Sequence, residues 1–141
     1  MNQVKIQIPS LIENIRVIES FIDNSKEEFE FEDDVYGNIM VAVTESVNNA
    51  IRHGNKFDKE KIVYLTLQVE NNQLLFEVED EGPGFDYENL PDPTAPENLE
   101  SPGGRGIFLM RNLCDEVNFL DNGKKVQLIF NITALQNGSA N

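Results

Sequence analysis

Two neighbouring runs of alternating apolar and polar residues constrain the fold of this chain more than any other feature of its sequence. Their apolar members recur at every second position and are Val63, Leu65, Leu67, Val69, Leu74, Phe76 and Val78. Because side chains alternate between the two faces of a strand, each run predicts a strand with one buried face. Asn71 and Asn72 separate the runs and favour a tight turn, which predicts an antiparallel hairpin. The apolar face of that hairpin requires a covering layer.

The residues before the hairpin predict one strand and two helices. The strand ends at Pro9, and Ser10 with Glu13 predicts a capping box at the start of the first helix. The second helix is predicted over residues 33–54, because two aspartates open it and a glycine closes it. The apolar residues that define these three elements are Val4, Ile6, Ile8, Leu11, Ile15, Ile18, Ile22, Phe29, Val35, Ile39, Val43, Val47 and Ala50.

The residues after the hairpin predict a long loop, a helix and a second hairpin. Residues 81–103 hold five of the six prolines, and an irregular segment of this length in a small domain is typically functional or disordered. A helix is predicted over residues 107–113. The closing hairpin is predicted over residues 117–120 and 125–132.

The order of these elements predicts an α+β fold. We expect a two-layer α/β sandwich with a mixed, mostly antiparallel sheet and with the helices on one face. A single domain of residues 1–135 holds all the predicted elements, and residues 136–141 are expected to form a flexible tail.

Charge and composition limit the classes of partner. The chain of 141 residues carries a net charge of −14, which repels a nucleic-acid backbone, so no direct binding to nucleic acid is expected. It contains no apolar run of about 18 residues, so no membrane span is expected. Cys114 is the only cysteine, which excludes an intrachain disulfide and favours the reducing cytoplasm. An anionic ligand would need backbone N–H groups, a few basic residues and a metal ion.

The second predicted helix carries a polar row beside its apolar stripe. Glu45, Asn49 and His53 follow one another at intervals of four residues and therefore share one helix face. A polar row that borders the core can line a cleft. The alternative is an ordinary solvated helix face, which the row by itself does not exclude.

A carboxylate follows the second strand of the first hairpin. Strand parity places Asp80 on the same face as Phe76 and Val78, which is the face expected to be buried. A buried carboxylate is unfavourable unless a partner satisfies it. Gly82 and Gly84 follow at once and allow a ligand to approach the backbone closely. The alternative is an aspartate that caps a tight Gly-Pro-Gly turn.

A glycine-rich segment leads directly into the third predicted helix. Gly103, Gly104 and Gly106 surround Arg105 immediately before Ile107. The free N–H groups at the start of a helix bind phosphate, and the helix dipole assists them. Arg105 is placed either to add positive charge to such a site or to face solvent, and a glycine cluster by itself also fits a flexible linker.

In this order, the three segments resemble the N, G1 and G2 boxes of the GHKL superfamily, whose fold is the Bergerat ATP-binding fold. The matching patterns are Glu-x-x-x-Asn at residues 45–49, Asp-x-Gly-x-Gly at residues 80–84 and Gly-x-Gly at residues 104–106. The chain length and the first-helix pattern are most similar to the bacterial anti-sigma-factor serine/threonine kinases. The resemblance covers residues 3–133, which is nearly the whole chain.

The resemblance implies that the three segments bind ATP together with Mg²⁺. It implies that Asn49 holds the Mg²⁺ against the phosphates, and an amide oxygen is a suitable ligand for that ion. It further implies that Asp80 accepts a hydrogen bond from the adenine amino group, where guanine would present an acceptor. The remaining nucleotide-binding residues that it implies are His53, Gly82, Gly84, Gly104, Arg105 and Gly106. The proline-rich segment before Gly103 would then act as a lid.

The resemblance also implies a protein kinase that acts on its partners. Glu45 matches a general base for a serine hydroxyl, and Arg16 on the first helix matches an arginine that contacts partner proteins. The implied partners are a sigma factor and a small antagonist protein that is phosphorylated on serine, and the implied assembly is a homodimer. Gly123-Lys124 departs from the Gly-Thr of many relatives, which removes one expected phosphate contact. A non-catalytic ATP-dependent switch and a detached module of a phosphorelay remain alternatives.

Overall fold

The computed structural model describes residues 2–84 and 104–132, and these residues form one sheet with helices packed against it. The strands and α-helices, in chain order, are β1 Asn2–Pro9, α1 Ile15–Phe29, α2 Asp33–Asn49, β2 Ile62–Glu70, β3 Gln73–Glu79, α3 Gly104–Leu113, β4 Glu116–Leu120 and β5 Lys125–Asn131. Within the described ranges, this order is the predicted one. Most of the predicted proline-rich lid and the whole predicted tail lie outside the described residues. No described helix has the length and apolar content needed to span a membrane.

The sheet has five strands in the described part of the chain, in the order β1-β2-β3-β5-β4. The predicted two-layer α/β sandwich is confirmed, and each described strand pairing is antiparallel, so the sheet is not mixed. Two helices separate β1 from β2 and return the chain in the opposite direction. β3 and β4 run parallel to each other, because β5 lies between them and pairs antiparallel with both.

The central hairpin forms as its alternating pattern predicts. Residues of β2 and β3 alternate between buried and partly exposed positions, and Leu67 and Phe76 face each other across the pair with no exposed surface. Asn71 and Asn72 have φ angles of 49° and 64°, the left-handed conformation that a two-residue hairpin turn requires. The buried face of the hairpin therefore forms the floor of the core.

The helices cover this face, with α2 packed on β3 and β5 and with α1 packed on α2. Ile18 and Ile22 of α1 are fully buried, as are Val43 and Val47 of α2. These residues belong to the apolar stripes that predict the two helices. Burial of such stripes is the main source of helix stability in a domain of this size.

The predicted capping box at Ser10 is wrong. Ser10 is fully buried, its hydroxyl donates to the Lys61 carbonyl at 2.6 Å, and it accepts a hydrogen bond from Asn55 Nδ2 at 2.8 Å. A 3-10 turn at Ile12–Asn14 precedes α1, and no side chain caps either of them. The hydroxyl is thus taken by partners that are distant in sequence, which no local pattern can reveal.

Candidate functional site

A cleft of about 220 Å³ opens between α2 and the sheet. Its walls come from α2 and the turn after it, from the end of β3, from α3, and from the β4–β5 hairpin. Four of the residues predicted from the sequence as ligand-binding line it, and these are Asn49, His53, Asp80 and Gly84. Segments that are distant in the sequence therefore converge on one cavity, as expected for a ligand site.

A wide helical turn after α2 shapes one wall of the cleft. Ala50–Gly54 is a π-helix, in which the Asn55 N–H donates to the Ala50 carbonyl at 2.8 Å. The prediction of a helical segment reaching Gly54 is therefore correct, although its last turn is not α-helical. Single π turns inside helices are frequent at functional sites. The wide turn brings both Ala50 and Gly54 to the cleft surface.

Asp80 lies at the end of β3 on the cleft side, as strand parity predicts. The residue is only partly buried, whereas the sequence predicts full burial. Its Oδ1 accepts the Gly82 N–H at 2.8 Å. Burial raises the pKa of the carboxyl above its ordinary value of 3.8, while the Gly82 N–H and the Lys124 charge oppose that rise. The carboxylate thus keeps acceptor capacity that faces the cleft.

Gly54 is a site residue that the sequence pattern assigns only to a helix end. A Cβ atom at Gly54 would lie 2.3 Å from Asp80 Oδ2, and one at Gly82 would lie 2.0 Å from the Gly54 carbonyl oxygen. The turn after β3 therefore packs directly on the end of the π turn. Glycine is required at both contact points because there is no space for a side chain. The sequence signal for this role is the position of Gly54, which directly follows His53 at the end of the polar row.

Asn55 is a second residue that sequence reasoning missed. Its side chain is 1% exposed, its amide nitrogen donates to Ser10 Oγ at 2.8 Å and to the Ile62 carbonyl at 3.1 Å, and its amide oxygen accepts the Glu81 N–H at 2.8 Å. Glu81 in turn accepts the Ile62 N–H at 2.6 Å. The buried amide thereby holds the turn that carries Asp80 against the start of β2.

The start of α3 contacts two of the predicted residues of α2. A Cβ atom at Gly106 would lie 2.7 Å from Asn49 Nδ2 and 2.8 Å from Glu45 Oε2. Gly104 and Arg105 belong to the first turn of α3, and the side chain of Arg105 lies outside what the structure describes. Glu45 and Asn49 therefore meet the first turn of a helix, where backbone N–H groups have no partner within the helix.

The donor atoms at this meeting point fit Mg²⁺. The Asn49 amide presents its nitrogen to Gly106, which leaves the amide oxygen for a cation, and the Glu45 carboxylate reaches the same glycine. Mg²⁺ takes oxygen ligands and is typically held by one or two protein groups together with substrate phosphates. The described residues contain no group of three or more His, Cys, Asp or Glu side chains that could bind a metal by themselves.

His53 lies at the mouth of the cleft. Partial burial and, to a lesser extent, the charge of Arg52 lower the pKa of its imidazole below 6.5, although the Glu45 carboxylate opposes this shift. These surroundings therefore favour the neutral form of the ring. Arg52 itself turns away and donates from its Nε to Asn48 Oδ1 at 3.0 Å.

The β4–β5 turn supplies a basic residue that the sequence prediction did not include. Lys124 lines the cleft, and its carbonyl accepts the Asp80 N–H at 2.9 Å. Gly84 has a φ of 87°, and a Cβ atom there would lie 2.1 Å from the Asn122 carbonyl oxygen. A lysine in the cleft of a chain with a net charge of −14 favours an anionic ligand. By contrast, Arg16 lies on the exposed face of α1 and does not line the cleft.

Comparison with known proteins shows the family of the chain. A family model described as a histidine kinase-like ATPase domain matches residues 8–130. The chain is 32% identical over 102 residues to an anti-sigma F factor of Anoxybacillus flavithermus, covering 67% of this chain and 68% of that protein. It is 28% identical over 120 residues to the serine-protein kinase RsbW of Bacillus subtilis, covering 81% and 75% of the two chains.

A solved structure shares the fold. It contains the RsbU and RsbW domains of a Mycobacterium tuberculosis protein and matches 95% of this chain with a TM-score of 0.70 at 14% identity. The present chain spans 33% of that longer chain. The likeness therefore concerns the domain fold and not the activity of the longer protein.

Proposed function

The chain belongs to the histidine kinase-like ATPase family, and from this premise we propose that it is an ATP-dependent protein serine/threonine kinase of the anti-sigma-factor type. It phosphorylates a serine of a small antagonist protein and, in the alternate state, sequesters a sigma factor. The names of its relatives, anti-sigma F factor and serine-protein kinase, support both activities. Such a kinase works in the cytoplasm, where sigma factors act.

One observation carries the kinase proposal: Glu45 and Asn49 meet the first turn of α3 at Gly106. A carboxylate, an amide and free backbone N–H groups converge at this point. Phosphoryl transfer can use all three groups, because it depends on a base or positioning group, a metal-bound phosphate and donors for the phosphate oxygens. A cleft for a small ligand without phosphate would not need this combination.

We assign the two ends of the cleft to the two ends of ATP. Asp80 accepts a hydrogen bond from the adenine amino group, with Gly82 and Gly84 at the border of the base. The phosphates lie toward Gly104 and Gly106. The basic side chain of Arg105 neutralises phosphate charge, and the His53 ring donates or accepts a hydrogen bond. The positions of Asp80 and Gly84 in the cleft wall support the assignment of the adenine end.

In the transfer step, the serine hydroxyl of the partner attacks the γ-phosphorus of ATP. The bond between the serine oxygen and phosphorus forms, the bond from phosphorus to the β–γ bridging oxygen breaks, and ADP leaves. Glu45 accepts the hydroxyl proton. The Asn49 amide oxygen would hold Mg²⁺, which would neutralise negative charge on the phosphate oxygens.

We further propose that the partner proteins bind at α1 and that the chain forms a homodimer. Arg16 is exposed on α1 and is available to a partner carboxylate. β1 is the outermost strand at one edge of the described sheet, and Val4 on it is an exposed apolar side chain. An apolar edge strand is a natural site for pairing with a second copy.

The kinase proposal predicts that Glu45→Gln blocks phosphate transfer without blocking ATP binding. The amide cannot accept the serine proton, so transfer to the small antagonist protein should fall by about 100-fold or more. ATP affinity should stay within about threefold, because the substitution keeps the shape of the side chain. Transfer is measured with radiolabelled ATP and Mg²⁺, and ATP affinity by calorimetry.

Glu70→Gln, at the exposed end of β2, is the control for the loss of one negative charge and should retain full transfer. Normal transfer by Glu45→Gln would contradict the role of Glu45. Absence of transfer by the wild-type protein, with ATP binding intact and sigma-factor binding still controlled by ATP, would favour the non-catalytic switch instead.

A further inference from the structure

The hydroxyl of Ser46 has no hydrogen-bond partner among the described residues. Ser46 lies on α2 between Glu45 and Val47, and only 3% of its surface is exposed. In the described ranges, its Oγ is the one buried side-chain polar atom without a partner. The residue also lines the cleft. An unpaired buried hydroxyl is unfavourable, so such a group in a native structure calls for an explanation.

Local helix geometry does not explain the unpaired hydroxyl. Serine and threonine inside a helix usually donate to the carbonyl four residues earlier. Ser25 does so to Phe21 at 2.8 Å, and Thr44 does so to Met40 at 2.6 Å. Ser46 forms no such bond, although its own helix offers the same kind of acceptor. Its hydroxyl is therefore available to something inside the cleft.

The neighbourhood of Ser46 indicates which part of a ligand it meets. Ser46 precedes Ala50 by one turn on the same wall of the cleft, and both residues line it. The apolar residues Val78, Ile107 and Met110 also line the cleft. These three apolar side chains suit a flat heteroaromatic ring, and the Ser46 hydroxyl suits the hydrogen-bonding edge of such a ring.

Building on the proposed ATP site, we propose that the Ser46 hydroxyl hydrogen-bonds to the base of the bound nucleotide, directly or through one ordered water. Ser46 is then a specificity residue in addition to Asp80. The hydroxyl can donate to a ring nitrogen of adenine or accept from a bridging water. Its bond is completed only when the nucleotide occupies the cleft.

This inference predicts opposite effects of Ser46→Ala on binding and on stability. The variant should bind ATP about 3- to 10-fold more weakly, which is the loss expected for one neutral hydrogen bond. Without nucleotide, its thermal unfolding midpoint should equal or exceed that of the wild type, because the hydroxyl that is removed has no partner. Calorimetry with ATP and thermal unfolding of the nucleotide-free protein measure the two effects.

Ser25→Ala is the matched control, since Ser25 is also a buried helical serine but its hydroxyl is bonded and does not line the cleft. It should keep the ATP affinity of the wild type and should unfold at a lower temperature than Ser46→Ala. Because both variants exchange serine for alanine in a helix, the difference in helix propensity cancels between them.

Two further ligands locate the contact on the nucleotide. ADP should lose affinity for Ser46→Ala by the same factor as ATP, and inorganic tripolyphosphate should lose none. Unchanged ATP affinity of Ser46→Ala, or an equal loss for tripolyphosphate, would overturn the assignment to the base. A wild-type protein that binds no ATP would overturn the proposed function as well, so the two failures are distinguishable.

Discussion

At the scale of single residues, the pKa of Asp80 connects stability with recognition. Burial raises this pKa, so the folded protein binds the proton more tightly than the unfolded chain. The stability contributed by Asp80 is therefore fully present below the unfolded pKa and is lost as the pH rises through the folded pKa. The ionised carboxylate is the form that burial disfavours, and in the proposed site it is the form that accepts the adenine amino group.

We therefore predict that Asp80→Asn weakens ATP binding without lowering the stability of the nucleotide-free protein at neutral pH. ATP affinity should fall by about tenfold or more, because an amide cannot replace the charged acceptor and leaves a buried pair mismatched. The midpoint of thermal unfolding at pH 7 should be equal to or above that of the wild type. Calorimetry with ATP and thermal unfolding check the two parts.

Glu79→Gln is the control for this prediction. Glu79 is the neighbouring carboxylate on the opposite face of β3, opposite Lys125 of β5, and it does not line the cleft. Its substitution should leave ATP affinity unchanged. Equal ATP affinity for wild type and Asp80→Asn would show that the base lies elsewhere in the cleft.

At the scale of elements, the proposed transfer activity depends on the contact between α2 and the start of α3. The side chains of α2 fill the space that a Cβ atom at Gly106 would need. Both contacting atoms are at the ends of flexible side chains, so a methyl group would displace them without unfolding the helices. Alanine is also the better helix former, by about 1 kcal/mol.

Gly106→Ala should consequently leave the fold intact and impair the site. We expect phosphate transfer to fall by about tenfold or more, because Glu45 and Asn49 are pushed from their positions and small displacements are costly in catalysis. The thermal midpoint should change little or rise. Transfer assays and thermal unfolding give the two measurements.

Gly37→Ala, in α2, is the control for the exchange of glycine for alanine within a helix. A Cβ atom at Gly37 in α2 meets no atom within 4 Å, so alanine there should raise stability by about 1 kcal/mol and leave transfer unchanged. If Gly106→Ala also retained full transfer, the contact of α3 with Glu45 and Asn49 would not be needed for activity.

At the scale of the whole molecule, the arrangement of the sheet leaves β1 at one outer edge. The proposed homodimer predicts that the wild-type protein has twice the 16.0 kDa mass of the chain in solution. Val4→Lys should shift it toward the single chain, because symmetric pairing would bring two desolvated ammonium groups together. Light scattering across a concentration series measures the mass.

Val41→Lys provides the comparison for surface charge. Val4 and Val41 are 37% and 44% exposed, but Val41 lies on α2 and away from the sheet edge. This variant should keep the mass of the wild type. A wild-type mass of one chain, or equal dissociation of both variants, would contradict pairing through β1.

Local patterns in the sequence predict the strands and helices, and four of the residues predicted to bind the ligand line the cleft, namely Asn49, His53, Asp80 and Gly84. The alternation in β2 and β3 and the stripes of α1 and α2 are repeated many times, so each element is specified by several residues that agree. The prediction that Asp80 faces the cleft rests on the same alternation, because Asp80 continues the pattern of β3. Glu45, Asn49 and Gly106 were predicted as one site because their motifs resemble those of a known superfamily.

Only the tertiary structure decided the contacts that depend on single atoms far apart in the chain. Ser10 bonds to Lys61 and Asn55 instead of capping a helix, and Asn55 holds the turn after Asp80 across 26 residues. Packing between distant segments also decides the positions of Gly54, Lys124 and the unpaired Ser46 hydroxyl in the cleft. A periodic pattern records which face of an element is buried, but it does not record which atoms meet when the elements pack, and those atoms determine the site.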